Sequence, residues 1–143
     1  MEEPAEQARR IIDANQFMTL ATADQVGTPW ASPVWFAHLG HRDFIWVSKQ
    51  HRQHTQHVRD RPEVSLVIFD STQTPGDVEA VYATGRAEQT DEAHHLQAFS
   101  DRAQNDEWTR DRVSNGSEFR LFHVVATRLW VLDDHDNRHP VEL

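Results

Sequence analysis

Hydroxyls, basic side chains and the start of a helix converge at residues 46–55, where Trp46-Val47-Ser48-Lys49 runs into Arg52, His54 and Thr55. A phosphate monoester is held by charge-assisted donors and by the unpaired N–H groups of a first helical turn. Ser48, Lys49, Arg52, His54 and Thr55 are therefore candidate ligands for a phosphorylated small molecule. Arg52 carries permanent charge. His54 offers one donor when neutral, and a dianion beside it favours its charged form.

His51, His54 and His57 recur every three residues, which raises a metal reading. Closed zinc sites recruit a thiolate or carboxylate and draw ligands from more than one element, so this run reads as a polar helix face and no metal is expected. The adjacent pair His94-His95 points in directions about 100° apart on a helix and reads the same way. Nucleophilic catalysis has no support, because the chain has no cysteine and no Gly-x-Ser-x-Gly elbow. The P-loop and the dinucleotide glycine fingerprint are absent too.

The elements that must position these groups follow from periodicity. Residues 4–14 read as a helix with Ala5, Ala8, Ile11 and Ile12 on one face. Phe17 to Ala23, Trp30 to Leu39 and Phe44 to Ser48 read as a meander joined by turns at Asp24-Gln25-Val26-Gly27 and Gly40-His41-Arg42-Asp43. Gln53 to Asp60 is a short helix with Val58 as its single apolar residue, so it is expected on the surface, held by its ends. Val64 to Asp70 and Val78 to Glu88 are further strands. Thr90 is placed to cap a helix from Asp91 to Ala103, whose stripe is Ala93, Leu96 and Phe99. Gln104 to Ser117 is polar, with Asn115-Gly116 as a turn, and is a candidate for mobility. Phe119 to Ala126 and Arg128 to Leu132 read as two closing strands, and residues 135–143 carry little pattern. Mostly sequential strands with short turns predict a mainly β fold, an antiparallel barrel with added helices, rather than a parallel α/β sheet. Pro33 has no N–H, so its strand must lie on an edge or beside a bulge there.

The order and spacing of several landmarks resemble the pyridoxamine 5'-phosphate oxidase-like flavoproteins with a split β-barrel. These are Gly27-Thr28-Pro29-Trp30, Ser32-Pro33-Val34-Trp35-Phe36, Trp46-Val47-Ser48, a basic position eight residues before Pro62, and Val64-Ser65-Leu66, with Gly85-Arg86-Ala87-Glu88, Leu129-Trp130-Val131 and Arg138 later. The resemblance implies an FMN-binding split barrel. Ser32, Pro33 and Val34 would run along the flavin ring, and Trp46, Val47, Ser48, Lys49, Arg52, His54 and Thr55 would hold its phosphate end. Trp130 and Arg138 would reach the flavin across a homodimer interface. It also implies an oxidoreductase acting on a small organic substrate, with two alternatives: the deazaflavin coenzyme on the same fold, or a flavin-binding or storage module without turnover. His54 stands where the family often has lysine. The C-terminal Arg-Leu-His-Asp-Arg-like motif expected for pyridoxamine 5'-phosphate is missing, with only Asp134-His135-Asp136 and Arg138 near it.

Composition sets outer bounds. At 143 residues the chain reads as one domain, residues 1–143. A net charge of −9, from 14 Lys and Arg against 23 Asp and Glu, argues against a general nucleic-acid binder. No apolar run approaches the roughly 20 residues of a membrane span. With no cysteine and no signal-peptide pattern, a cytoplasmic protein is expected.

Overall fold

A computed structural model describes residues 2–143. The elements in chain order are α1 (Pro4–Ala14), β1 (Phe17–Ala23), β2 (Pro29–Leu39), β3 (Asp43–Lys49), α2 (Gln53–Asp60), β4 (Glu63–Phe69), β5 (Ala80–Thr90), α3 (Ala93–Ala103), a 3₁₀ turn (Asp111–Val113), β6 (Phe119–Leu132) and β7 (Arg138–Val141). All strands belong to one antiparallel sheet ordered β3-β2-β1-β4-β5-β6-β7, and a further β3–β6 pairing closes the first six into a barrel. Closure leaves far less free edge than an open sheet would.

The alternation along each strand explains the barrel. Met18 and Leu20 on β1, Val34 and Phe36 on β2, Phe44 and Trp46 on β3, Leu66 and Ile68 on β4 and Phe122 and Val124 on β6 point inward and pack as one core. α1 plugs one end with Ala8, Ile11 and Ile12. A second, smaller core lies outside the barrel, where Leu96 and Phe99 of α3 cover Ala37, Ile45 and Leu121.

Several expectations are corrected by this architecture. The two closing strands are one 14-residue strand, β6, and the C-terminal tail contributes β7. β6 is long enough to pair with β3 along its first half and with β7 along its second. Glu92, not Thr90, is the N-cap of α3, without a side-chain cap bond. Thr90 instead ends β5, accepts the Glu92 N–H at 3.2 Å and meets His95 Nδ1 at 2.8 Å. Residues 104–117 are anchored: the Trp108 ring packs edge-on between Phe99 and Phe119, with the Arg112 guanidinium 4.0 Å from its centroid. α2 is not held merely by its ends, because its whole inner face, His54, Thr55, His57 and Val58, is buried.

Gly85 marks the one register shift in the β5–β6 ladder, between Thr84 and Gly85. A Cβ there would fall 2.6 Å from both the Val125 carbonyl and Val124 Cγ2. Two backbones can approach that closely only without a side chain, which is why a glycine stands at the bulge.

Candidate functional site

The barrel is split on one side. β2 pairs with β3 only from Phe36 to Leu39, opposite Trp46 to Asp43, so Pro29 to Trp35 pairs with β1 alone. The Phe36 N–H donates to Gln16, on the β1 side. Backbone groups alternate in direction along an antiparallel strand, so those of Val34 and Ser32 also face β1, and those of Ala31, Pro33 and Trp35 face the open edge. Of the three edge residues expected from sequence, Pro33 alone presents its backbone outward. Ala31 and Trp35 supply the remaining free groups, a detail set by register that residue type does not carry. Pro33 has only a carbonyl to offer, and its lack of N–H fits a position where no strand follows.

Where β3 leaves the split, α2 begins. It is seated on the barrel by polar contacts: Ser48 Oγ lies 2.7 Å from His54 Nε2, Thr22 Oγ1 lies 2.9 Å from His57 Nδ1, and the Thr55 hydroxyl donates to the Lys49 carbonyl at 2.9 Å. Gln53 Nε2 lies 3.1 Å from His57 Nε2. The His57 ring is thus held at both nitrogens, by Thr22 on one side and Gln53 on the other. With His54 and His57 each committed to a barrel hydroxyl, the run His51, His54, His57 is a docking face in which only His51 is exposed. Thr22, invisible as a partner in the sequence, is placed by strand register.

Burial holds the His54 imidazole below its ordinary pKa, and the nearby charges of Arg52 and His57 push the same way. Arg52 is exposed at the N-cap, and among the described residues its guanidinium has no ion-pair partner, whereas Lys49 Nζ lies 3.7 Å from Glu118 Oε2. Lys49, Arg52, Arg59 and Arg61 gather four cations within 13 residues of an acidic chain. Trp46 lies inside the core, stacked on Phe122 at 5.8 Å, and its backbone is enclosed by Phe36 and Phe122 on either side. Val47, beside it, is half-buried and packs toward the smaller core.

Trp130 and Arg138 lie elsewhere. Ser48 pairs with Arg120 near the start of β6, and Trp130 is ten residues further along it, roughly 30 Å of strand away. Trp130 instead sits on the outer face of the sheet in a continuous cross-strand row, Pro33, Thr19, Val67, Tyr82, Trp130 and Pro140. The row borders a hollow of about 430 Å³ lined by Thr19, Val67, Tyr82, Trp130 and Arg138 among others. Guanidiniums cover both rings, Arg138 over Tyr82 and Arg128 over Trp130, each at 4.9 Å. Phe17 and Phe69 stand exposed on the same strands. The sequence-predicted site thus separates into a cationic end at β3–α2 and an aromatic end on the sheet face, and Tyr82 joins the latter unpredicted. Its only sequence signal is its place opposite Val67 in the alternation.

This architecture is the split β-barrel. Residues 4–133 match the family model for pyridoxamine 5'-phosphate oxidase, so the chain belongs to that family. Among solved structures, a heme-binding protein from Mycobacterium smegmatis is 22% identical with a TM-score of 0.79, over 99% of this chain and 58% of that one. The chain thus spans little more than half of that relative's length. HutZ, the heme storage protein from Vibrio cholerae, is 18% identical with a TM-score of 0.73, covering 90% of this chain and 95% of its own. A putative pyridoxamine 5'-phosphate oxidase from Listeria innocua is 18% identical with a TM-score of 0.68, covering 90% and 97%. No curated protein matches the chain. No helix described is long and apolar enough to cross a membrane.

Proposed function

We propose that the chain is an FMN-binding protein of the split-barrel family that works as a homodimer and transfers a hydride or electrons to or from a small organic molecule. The observation that carries this reading is the guanidinium of Arg52, free at the start of α2 beside the buried Ser48–His54 pair and the open edge of β2. The residues fit the group: a phosphate dianion needs a permanent cation and N–H donors, and a flavin's polar edge needs unpaired backbone groups, which Ala31, Pro33 and Trp35 present. Lys49 and Thr55 flank the phosphate end, and His54 adds a second charge if a proton is drawn onto it. Bound FMN supplies the redox chemistry; this chain's residues bind, orient and desolvate it.

The dimer belongs to the same proposal. Trp130, far along β6, and Arg138, on β7 opposite Leu132 at the end of β6, lie too far from Ser48 to share one flavin with it inside a single chain. A second copy laid on the outer face, where Phe17 and Phe69 are exposed beside the half-buried Tyr82 and Trp130, brings one chain's aromatic end to the other's cationic end. Obligate homodimer interfaces are apolar at their centre and often exceed ~2,000 Å². The cytoplasm is the compartment that suits a cysteine-free protein with this cofactor.

Two solved neighbours named for heme support a second reading, and the hollow gives it a residue. Among the residues lining that hollow, Tyr82 alone carries a side chain of a type that ligates heme iron. A non-catalytic carrier of flavin or heme fits either case. Titration of apo-protein with FMN, riboflavin, deazaflavin coenzyme and hemin, followed by absorbance, separates them. Saturable FMN binding that Arg52→Ala weakens and riboflavin does not share supports the first reading. A Soret band lost in Tyr82→Phe, with no flavin bound, overturns it in favour of the second. Sedimentation of a monomer that still binds FMN stoichiometrically would sink the dimer.

A further inference from the structure

Away from both ends of that site, three residues from distant parts of the chain aim ligand atoms at one point. Asp43 opens β3, His95 lies in the first turn of α3, and His123 is on β6 directly across from Ile45. Asp43 Oδ1 is 2.7 Å from His123 Nδ1 and Asp43 Oδ2 is 2.9 Å from His95 Nε2. The ligand atoms of the three groups fall within 4.8 Å of one another.

We propose that Asp43, His95 and His123 form a binding site for a divalent first-row transition ion such as zinc. Two imidazoles and one carboxylate, drawn from three elements, are the donor set that borderline divalent ions take. At metal–ligand distances of about 2.0–2.2 Å, donor atoms around a tetrahedral ion sit roughly 3.3 Å apart. The present carboxylate–imidazole contacts of 2.7 and 2.9 Å are shorter than this, so an entering ion moves the carboxylate back from both rings.

The remote nitrogens carry the argument further. His95 Nδ1 lies 2.8 Å from the Thr90 hydroxyl oxygen, whose two lone pairs can accept the Nδ1–H as well as the Glu92 N–H and so leave Nε2 unprotonated for an ion. His123 Nε2 is held by Glu88 Oε1 at 3.2 Å. Each imidazole thus has one nitrogen at the shared point and the other fixed by an outer partner, which is how metal-ligating histidines are oriented. The rings are packed as well, with the His95 and His123 centroids 4.1 Å apart and the His94 ring tilted against His95 at 4.1 Å. The side chains are only 4% exposed at His95, 12% at His123 and 17% at Asp43, so the ligands are sheltered while the carboxylate side stays open to solvent for a fourth ligand.

A second cluster, Asp13 with His38 and His41, shows what a less organised group looks like. Both Nε2 atoms meet Asp13 at 2.9 and 3.0 Å, but Asp13 is 56% exposed and His41 lies on the turn after β2. It serves as the internal control.

The test uses the untagged 143-residue chain freed of metal by chelator. Cobalt is the optical probe and zinc the competitor. Expected are one cobalt per chain with a visible ligand-field spectrum, displacement by zinc, and a melting temperature raised by roughly 5–10 °C at a hundredfold excess over Kd. Asp43→Asn and His123→Gln should weaken binding by more than ~100-fold, above what outer-partner changes cost, and Glu88→Gln by about 10-fold. His41→Ala and His94→Ala should leave binding within about 2-fold. The circular dichroism spectrum of each metal-free variant establishes that it is folded. No saturable binding at micromolar cobalt in the wild type overturns the proposal. So does binding kept by folded Asp43→Asn, or lost on His41→Ala.

Discussion

Two helices seat histidines on the outside of this barrel, and they do it by opposite chemistry. α2 sets His54 and His57 against the hydroxyls of Ser48 and Thr22. α3 sets His95 against Asp43 and Thr90, with His123 beside it on β6. The partner decides the charge. Burial and nearby positive charge lower the pKa of His54, whereas the Asp43 carboxylate raises that of His123, with Glu88 adding to it. Asp43 itself is held below the usual carboxylate range by its two imidazoles, against the effect of its burial. α3 also has an apolar stripe to bury, and α2 has only Val58. One helix is fixed by a carboxylate and a hydrophobic patch, the other mainly by hydroxyls.

The largest effects should therefore come from α3. Phe99, in edge contact with both Trp35 and Trp108, ties α3 to the barrel, and Phe99→Ala should cost about 3–5 kcal/mol in chemical denaturation. Val58→Ala, its counterpart on α2, should cost about 2 kcal/mol. Equal losses would remove the contrast between the two helices.

Next come the polar partners, compared in metal-free protein. Asp43→Ala strands two mostly buried imidazoles without their shared carboxylate and should cost about 2–4 kcal/mol. Ser48→Ala removes one neutral hydrogen bond and should cost about 1 kcal/mol. A thermal or urea series measures both. A Ser48→Ala loss as large as that of Asp43→Ala would mean that the hydroxyl seat is no weaker than the carboxylate one.

The same contrast explains what could be read from the sequence. Alternation and turn residues disclosed the barrel, because every core strand has one face buried and one face open, and Pro33 disclosed its own edge. Helix 53–60 was legible in extent but not in attachment, since Ser48 and Thr22 become partners only when strand register brings them under α2. The adjacency of His94 and His95 carries no information about the partners of His95, which lie 52 residues before it at Asp43 and on β6 at His123, because long-range pairing leaves no local period. The C-terminal β7 was missed for the same reason: Arg138 to Val141 has no alternation of its own and is a strand only because the second half of β6 offers it a free edge.

Smaller in stability but direct in function is Arg52. A charge-assisted bond contributes roughly 1.5–3 kcal/mol, so Arg52→Ala should weaken FMN by about 10- to 100-fold while leaving the denaturation midpoint unchanged. Riboflavin affinity should move little. Equal loss for both ligands in a fluorescence titration would place the phosphate elsewhere and with it the cationic end of the site.

The smallest effect is the pH dependence of the α2 seat. His54 is neutral and buried when the chain is folded, and its pKa there is below that of the unfolded chain. Between the two values the unfolded state binds more protons, so stability rises with pH across that window and falls as pH drops below about 6.5, the ordinary histidine value. The slope contributed by one such group cannot exceed about 1.4 kcal/mol per pH unit. His54→Gln keeps an amide donor near Ser48 without a titrating proton, so its stability should decline less steeply than wild type between pH 7 and pH 5. Bound phosphate reverses the sign at this residue, because a dianion beside His54 favours its charged form. FMN-saturated wild type should then lose less stability on acidification than the apo-protein, and His54→Gln should narrow that difference. Parallel pH–stability curves for wild type and His54→Gln, with and without FMN, would show that His54 neither titrates in this range nor meets the phosphate.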